Sequence, residues 1–265
     1  MIYTSNLVVG LDKGLDSPEM LLNVANTTNT GIEFFLHTYS EEYVKKTAQI
    51  LEWFGNRPIT THGPFIGVEA SSPEGSEEHN IMLEAYRYGF NTAQMLGSHH
   101  IVFHTHQRVI YSEEKEQAQN WCFHSIEQLL SMSQKSGITL LIENLGIQKQ
   151  GISLFNESDF IKLFERFPQA GCLIDIGHLN VAGWDMEYVL NKLQNCILGY
   201  HLHNNNGIDD SHHRLLDGTL DIEKFMFLYR RYTPTADLTL EYGDQYGITT
   251  SDLISDIRWV QSQLS

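Results

Sequence analysis

The residues best suited to chemistry are histidines and carboxylates that close short apolar runs. His62 ends Ile59-Thr60-Thr61-His62, His104 ends His100-Ile101-Val102-Phe103-His104, and Glu143 ends Leu141-Ile142-Glu143. Asp175 ends Cys172-Leu173-Ile174-Asp175, with His178 three residues later. His201 closes the run from Ile197, Asp210 and His212 follow it, and Glu241 ends Leu238-Thr239-Leu240-Glu241. Neutral imidazole and carboxylate are common ligands of divalent cations. Carboxylates gathered without partners would repel one another and take up protons, a conflict that a cation removes. His62, His104, Glu143, Asp175, His178, His201, Asp210, His212 and Glu241 are therefore candidate ligands of a metal site with capacity for more than one ion. No thiolate narrows the choice among Zn, Mn, Fe and Co. The remaining histidines are assigned otherwise. His203 is expected to point away from His201 into the strand wall, and His99 and His100 to lie buried or at the far end of their strand. His37, His79, His106 and His124 show no partner in the sequence.

These positions can meet only if repeated elements carry them to one place. Short apolar runs occur at Leu7-Val8-Val9, Ile32 to Leu36, Ile59 to His62, His100 to His104, Ile138 to Glu143, Cys172 to Asp175, Ile197 to His201 and Leu238 to Glu241. Each is strand-length and rich in Ile, Val, Leu or Phe. Between them apolar residues recur at three and four, as in Ile126, Leu129-Leu130 and Met132, or Phe160-Ile161, Leu163-Phe164 and Phe167, the spacing of amphipathic helices. Gly31, Pro58, Gly137 and Gly171 mark helix-to-strand corners. Alternation of strand and helix predicts the α/β class, as one (β/α)8 barrel domain over residues 1–265. A doubly wound sheet would show a Gly-rich phosphate turn after its first strand, which Gly10-Leu11-Asp12-Lys13-Gly14 matches poorly. In a barrel, the C-terminal strand ends converge on the face where active sites lie.

Composition limits the partners. Seventeen Lys and Arg against 33 Asp and Glu give a net charge of −16, which repels phosphate backbones and anionic membrane surfaces. The acidity gathers in expected mouth loops, at Glu41-Glu42, Glu69 to Glu78, Glu113 to Glu116 and Asp244, broken by Arg108, Lys149 and Arg214. Phe65, Trp184, Tyr242 and Tyr246 near the mouth are candidates to stack on a ring, whereas Trp53, Trp121 and Trp259 belong to helices. No apolar run approaches membrane-spanning length, and Met1 to Gly10 lacks the pattern of a secretion signal. Cys122, Cys172 and Cys196 have no paired spacing, so the expectation is a reduced, cytoplasmic chain.

Taken in order, His62-Gly63-Pro64, Phe103-His104, Ile142-Glu143-Asn144, Leu173 to His178, His201-Leu202-His203-Asn204, Asp210-Ser211-His212-His213 with Gly218, and Leu240-Glu241 resemble the xylose isomerase-like barrel superfamily. That superfamily includes sugar isomerases and epimerases and the endonuclease IV class of abasic-site nucleases. The resemblance implies one metal held by Glu143, Asp175, His201 and Glu241, with Glu143 and Glu241 also serving as catalytic bases on either side of a sugar. It further implies the ligand pattern of a trinuclear zinc cluster. Glu143 would join a first ion, with His62 and His104, to a second, while His178, Asp210 and His212 hold a third. One to three ions per chain are therefore expected.

The leading expectation is a metal-dependent sugar or sugar-phosphate isomerase or epimerase, with Arg108, Arg214 or the metals available to a phosphate. The acidic rim suits a small carbohydrate better than DNA. An abasic-site phosphodiesterase and a non-catalytic metal- or sugar-binding barrel are the alternatives. Barrels of this kind often associate as homo-oligomers.

Overall fold

The protein is described by a computed structural model covering residues 1–10, 18–36, 41–146 and 151–264. His37, Lys149 and the segments 11–17 and 38–40, which enter the sequence expectations, lie outside the described residues.

Eight parallel strands close on themselves in chain order: β1 (Ile2–Ser5), β2 (Gly31–Phe35), β3 (Ile59–His62), β4 (His100–His104), β5 (Thr139–Glu143), β6 (Gly171–Asp175), β7 (Ile197–Leu202) and β8 (Asp237–Leu240). Pairing of β8 with β1 excludes the open doubly wound sheet. Around the barrel run α1 (Glu19–Thr28), α2 (Glu41–Phe54), α3 (Glu77–Leu96), α4 (Lys115–Ser136), α5 (Glu157–Arg166), α6 (Ile176–Ala182), α7 (Met186–Leu193), α8 (Ile222–Tyr232) and α9 (Thr250–Leu264). The crossover from β6 to β7 thus carries two helices rather than one.

The first strand lies earlier than expected. Leu7-Val8-Val9 forms a short 3-10 turn, and β1 is the preceding Ile2-Tyr3-Thr4-Ser5. Ser5 Oγ accepts the Leu7 amide at 3.0 Å, and Asn6 Oδ1 accepts the Phe35 amide at 2.9 Å. These side-chain bonds offer the backbone a turn in place of a ladder, which the apolar character of the three residues does not reveal.

Strand register places inward-facing side chains in layers. Glu33, Val102, Leu173 and Thr239 occupy one level, and Ser5, His62, Glu143 and His201 the next. Phe35, His104, Asp175 and Glu241 stand above them. The apolar plug inside the barrel is reduced to Val102, Leu141 and Leu173, a cluster separate from the large core between strands and helices. Polar groups therefore fill the upper barrel.

Candidate metal centre

Local structure aims each side chain. His62 is followed by Gly63, whose amide donates to the Val102 carbonyl at 2.9 Å. A Cβ at Gly63 would lie 2.3 Å from that same oxygen, so only glycine lets the chain leave β3 this close to β4. Asp175 ends β6 and caps α6, accepting the His178 amide at 2.7 Å. That cap draws His178 back over the mouth. Beyond β7, Asn204 and His213 pair their backbones, turning the loop that carries Asp210 and His212 over the barrel. His212 holds φ +46, a left-handed conformation that a non-glycine residue rarely adopts.

The nine expected residues meet. His62 Nε2 and His104 Nε2 are 3.1 Å apart, and lie 3.5 and 3.0 Å from Glu143 Oε2. Glu143 Oε1 stands 3.4 Å from His201 Nδ1, which is also 3.3 Å from Glu241 Oε2 and 3.9 Å from Asp175 Oδ2. His178 Nε2 and His212 Nε2 approach Asp210 Oδ2 at 3.0 and 3.3 Å. Ligand-type atoms thus form adjoining groups, each within 4.8 Å, with Glu143 common to the first two.

Every histidine of the set offers one ring nitrogen to the cluster while the other is tied. His62 Nδ1 donates to the Gly63 carbonyl at 2.8 Å, His178 Nδ1 to that of Asn144 at 2.9 Å and His212 Nδ1 to that of Glu241 at 3.0 Å. A carbonyl only accepts, so Nδ1 carries the proton and Nε2 keeps its lone pair. His104 Nδ1 accepts the Gln107 side-chain Nε2 at 2.7 Å, so its Nε2 carries the proton toward Glu143 at 3.0 Å. His201 is reversed: Nε2 donates to Glu33 at 2.9 Å, leaving Nδ1 free. Fixing the far nitrogen in this way is how proteins orient metal-ligating histidines.

The electrostatics ask for a cation. His201 Nδ1 and Glu241 Oε2 are buried without a hydrogen-bond partner, an arrangement costly for polar atoms. Burial alone would raise Glu143, but His104 and His201 together hold its carboxyl well below the usual range. At Glu241 burial prevails, reinforced by Asp175 and Glu143, and lifts the carboxyl to about 8. Burial would depress His178 and His201, yet the carboxylates around each push both well above the ordinary histidine value. Without a cation the cluster must hold protons between its carboxylates, and a divalent ion supplies the same positive charge. The donor set therefore fits divalent metal.

His203 departs from expectation. It is fully buried, donates Nε2 to Asp175 Oδ1 at 2.9 Å, and stacks on His212 at 3.8 Å between ring centres. Residues two apart share one face of a strand, so His203 follows His201 toward the mouth instead of into the wall. Glu33 was also missed, because it lies in the middle of β2, where no strand-end pattern marks it. His100 is buried and His99 bonds Asp237 at 3.0 Å where β8 begins, as expected for the barrel floor.

The surroundings correct two expectations. Arg108 is engaged by both oxygens of Glu114 at 2.9 and 2.8 Å, and Arg214 by Asp252 and Asp256 at 2.5 and 2.7 Å, so neither is a free phosphate anchor. Of the mouth aromatics, Phe65 lines the cavity, whereas Tyr242 is buried on Asp256, Trp184 packs on Phe160 and Tyr246 covers His213. The cavity measures about 550 Å³ and is lined by His104, Glu143, His178, Asp210, His212 and Glu241 together with the apolar Leu7, Phe35, Phe65, Leu145 and Ile208. No described Lys or Arg lines it.

Residues 22–263 match the family model of the xylose isomerase-like TIM barrel, and the chain belongs to that family. A D-tagatose 3-epimerase-like protein superposes with a TM-score of 0.81 at 18% identity, covering 99% of this chain and 96% of that one. The TTHB071 protein of Thermus thermophilus, soaked with zinc chloride, gives 0.76 at 19% identity over 99% and 96%. At such identities the likeness shows the fold. An uncharacterized protein of Methanocaldococcus jannaschii, MJ1311, is 27% identical over 169 residues, 62% of this chain and 57% of that protein, so the match spans little more than half its length.

Proposed function

We propose that this protein is a metal-dependent isomerase or epimerase of a sugar or sugar derivative. One observation carries the reading: Glu143 and Glu241 both line the cavity, and their oxygens flank His201 Nδ1 at 3.4 and 3.3 Å. Two carboxylates so placed can take a carbon-bound proton from one side of a substrate and return it on the other. Glu143, Asp175, His201 and Glu241 would hold the ion, which when bound supplies a Lewis acid that polarises adjacent sugar oxygens. His104 hydrogen-bonds Glu143 and orients its carboxylate, while Glu241 Oε2, which lies 3.3 Å from His201 Nδ1 but accepts no hydrogen bond, is the oxygen positioned to exchange a proton. Phe35 and Phe65 supply apolar lining beside these carboxylates. A lining without described Lys or Arg suits a neutral carbohydrate. The epimerase-like name of one structural relative and the zinc soak of another agree with this reading.

Glu143→Gln and Glu241→Gln are expected to lose at least ~10²-fold in turnover, measured as proton exchange or product formation across a panel of ketoses, with folded circular dichroism spectra. Full activity in both variants would sink the assignment of bases.

The adjoining groups around His62 and around Asp210 favour a second reading, a phosphodiesterase needing several ions. Elemental analysis separates the two. One ion per chain supports the isomerase, whereas three ions with cleavage of an abasic duplex support the nuclease.

A further inference from the structure

The barrel interior below the candidate centre holds one acidic side chain that touches none of the cavity. Glu33 lies fully buried at the level of Val102, Leu173 and Thr239, where barrels of this architecture normally pack branched apolar residues. A carboxylate there is costly unless hydrogen bonds satisfy it. Its Oε1 accepts His201 Nε2 at 2.9 Å, and its Oε2 is reached by the hydroxyls of Thr60 at 3.4 Å and Thr239 at 3.3 Å. His100 Nε2 approaches the same oxygen at 3.9 Å. Three donors from β3, β7 and β8 therefore hold one carboxylate against a single imidazole. The opposite nitrogen of that imidazole, Nδ1, faces Glu143, Asp175 and Glu241 with no hydrogen-bond partner.

We infer that Glu33 is a positioning residue: it fixes the proton of His201 on Nε2, so that Nδ1 is presented to a divalent cation held with Glu143, Asp175 and Glu241. The inference rests on the metal reading above. The other four histidines of the set bond carbonyls or a side-chain amide through Nδ1, with His178 Nδ1 also 3.3 Å from Glu143, whereas His201 is tied through Nε2 to a carboxylate that lies outside the candidate ligands. An anion on the far nitrogen raises the basicity of the coordinating one. The middle ligand group thus gains donor strength from a residue beneath it. Glu33 is absent from the cavity lining, which separates this role from contact with substrate.

The test uses the full chain with ¹⁵N-labelled histidine, loaded with Zn²⁺ or ¹¹³Cd²⁺. Proton–nitrogen correlation spectra, with His201 assigned from the His201→Gln spectrum, should show metal on Nδ1 and the proton on Nε2. Competition with a chromophoric chelator should show zinc about 10- to 100-fold weaker in Glu33→Gln than in wild type. Coordination through His201 Nε2, or affinity within about twofold of wild type in Glu33→Gln, overturns the role of Glu33 while leaving the metal centre standing. A wild-type protein that binds neither ion overturns both. Should Glu33→Gln fail to fold, the wild-type spectrum decides.

Discussion

At the scale of the residue, the geometry of the candidate centre depends on small groups as much as on the candidate ligands. His203 can donate to Asp175 and stack on His212 only because residue 177 is glycine. A Cβ there would lie 2.0 Å from His203 Cε1. Gly177→Ala is expected to displace the His203 ring and destabilise the protein by about 1–3 kcal/mol, as overpacking does. Denaturant titration measures the loss, and zinc stoichiometry shows whether the His178, Asp210 and His212 group empties with it. An unchanged midpoint and ion count would show that the ring has room to move. Neither His203 nor Glu33 was legible from strand-end position alone. The i, i+2 rule was available for His203, whereas Glu33 needed the closed barrel, since its partner His201 is 168 residues away.

At the scale of the element, carboxylates expected on an acidic rim turn out to hold loops together. Glu69 is nearly buried and accepts the amides of Ser71, Gln107 and Arg108 at 2.6, 2.8 and 2.8 Å, tying the loop after β3 to the loop after β4. Gln107 in turn meets His104. Glu74, Glu113 and Asp244 remain exposed, so part of the acidic rim persists. Arg214 plays the matching part beyond β7. It clamps Asp256, a buried residue that also accepts the Tyr242 hydroxyl at 3.0 Å, and so fastens the loop bearing Asp210 and His212 to α9. Arg214→Ala leaves that carboxylate without its cation and should cost about 1–3 kcal/mol. A lower urea midpoint at constant m-value would register it. An unaltered midpoint would show that the clamp is dispensable.

At the scale of the molecule, the candidate ligands come from strands β3 through β8, the loops that follow them and the first turn of α6. Ions bound there would cross-link three quarters of the barrel. Binding to the folded state alone stabilises it by about 2.7 kcal/mol per site at a hundredfold excess over Kd. Melting should therefore shift downward when EDTA replaces zinc, and re-addition should restore it. Identical melting curves with metal and with chelator would contradict the centre. The net charge of −16 changes meaning at this scale: Glu143, Asp175 and Glu241 are turned inward with Glu33 below them, and Arg108 and Arg214 are neutralised by their own carboxylates. No helix among the described residues is long and apolar enough to cross a membrane.

The sequence by itself determined the alternation of strand and helix and the strand ends at which ligand-type residues recur. Both are local properties, written in apolar periodicity and in the residue that ends each run. Tertiary structure decided which nitrogen each histidine presents, that His203 packs against the candidate centre, that two arginines are already engaged, and that a buried glutamate stands beneath His201. Those outcomes depend on hydrogen bonds between strands far apart in the chain, and on the closure of β8 against β1 that sets one layer of side chains above another.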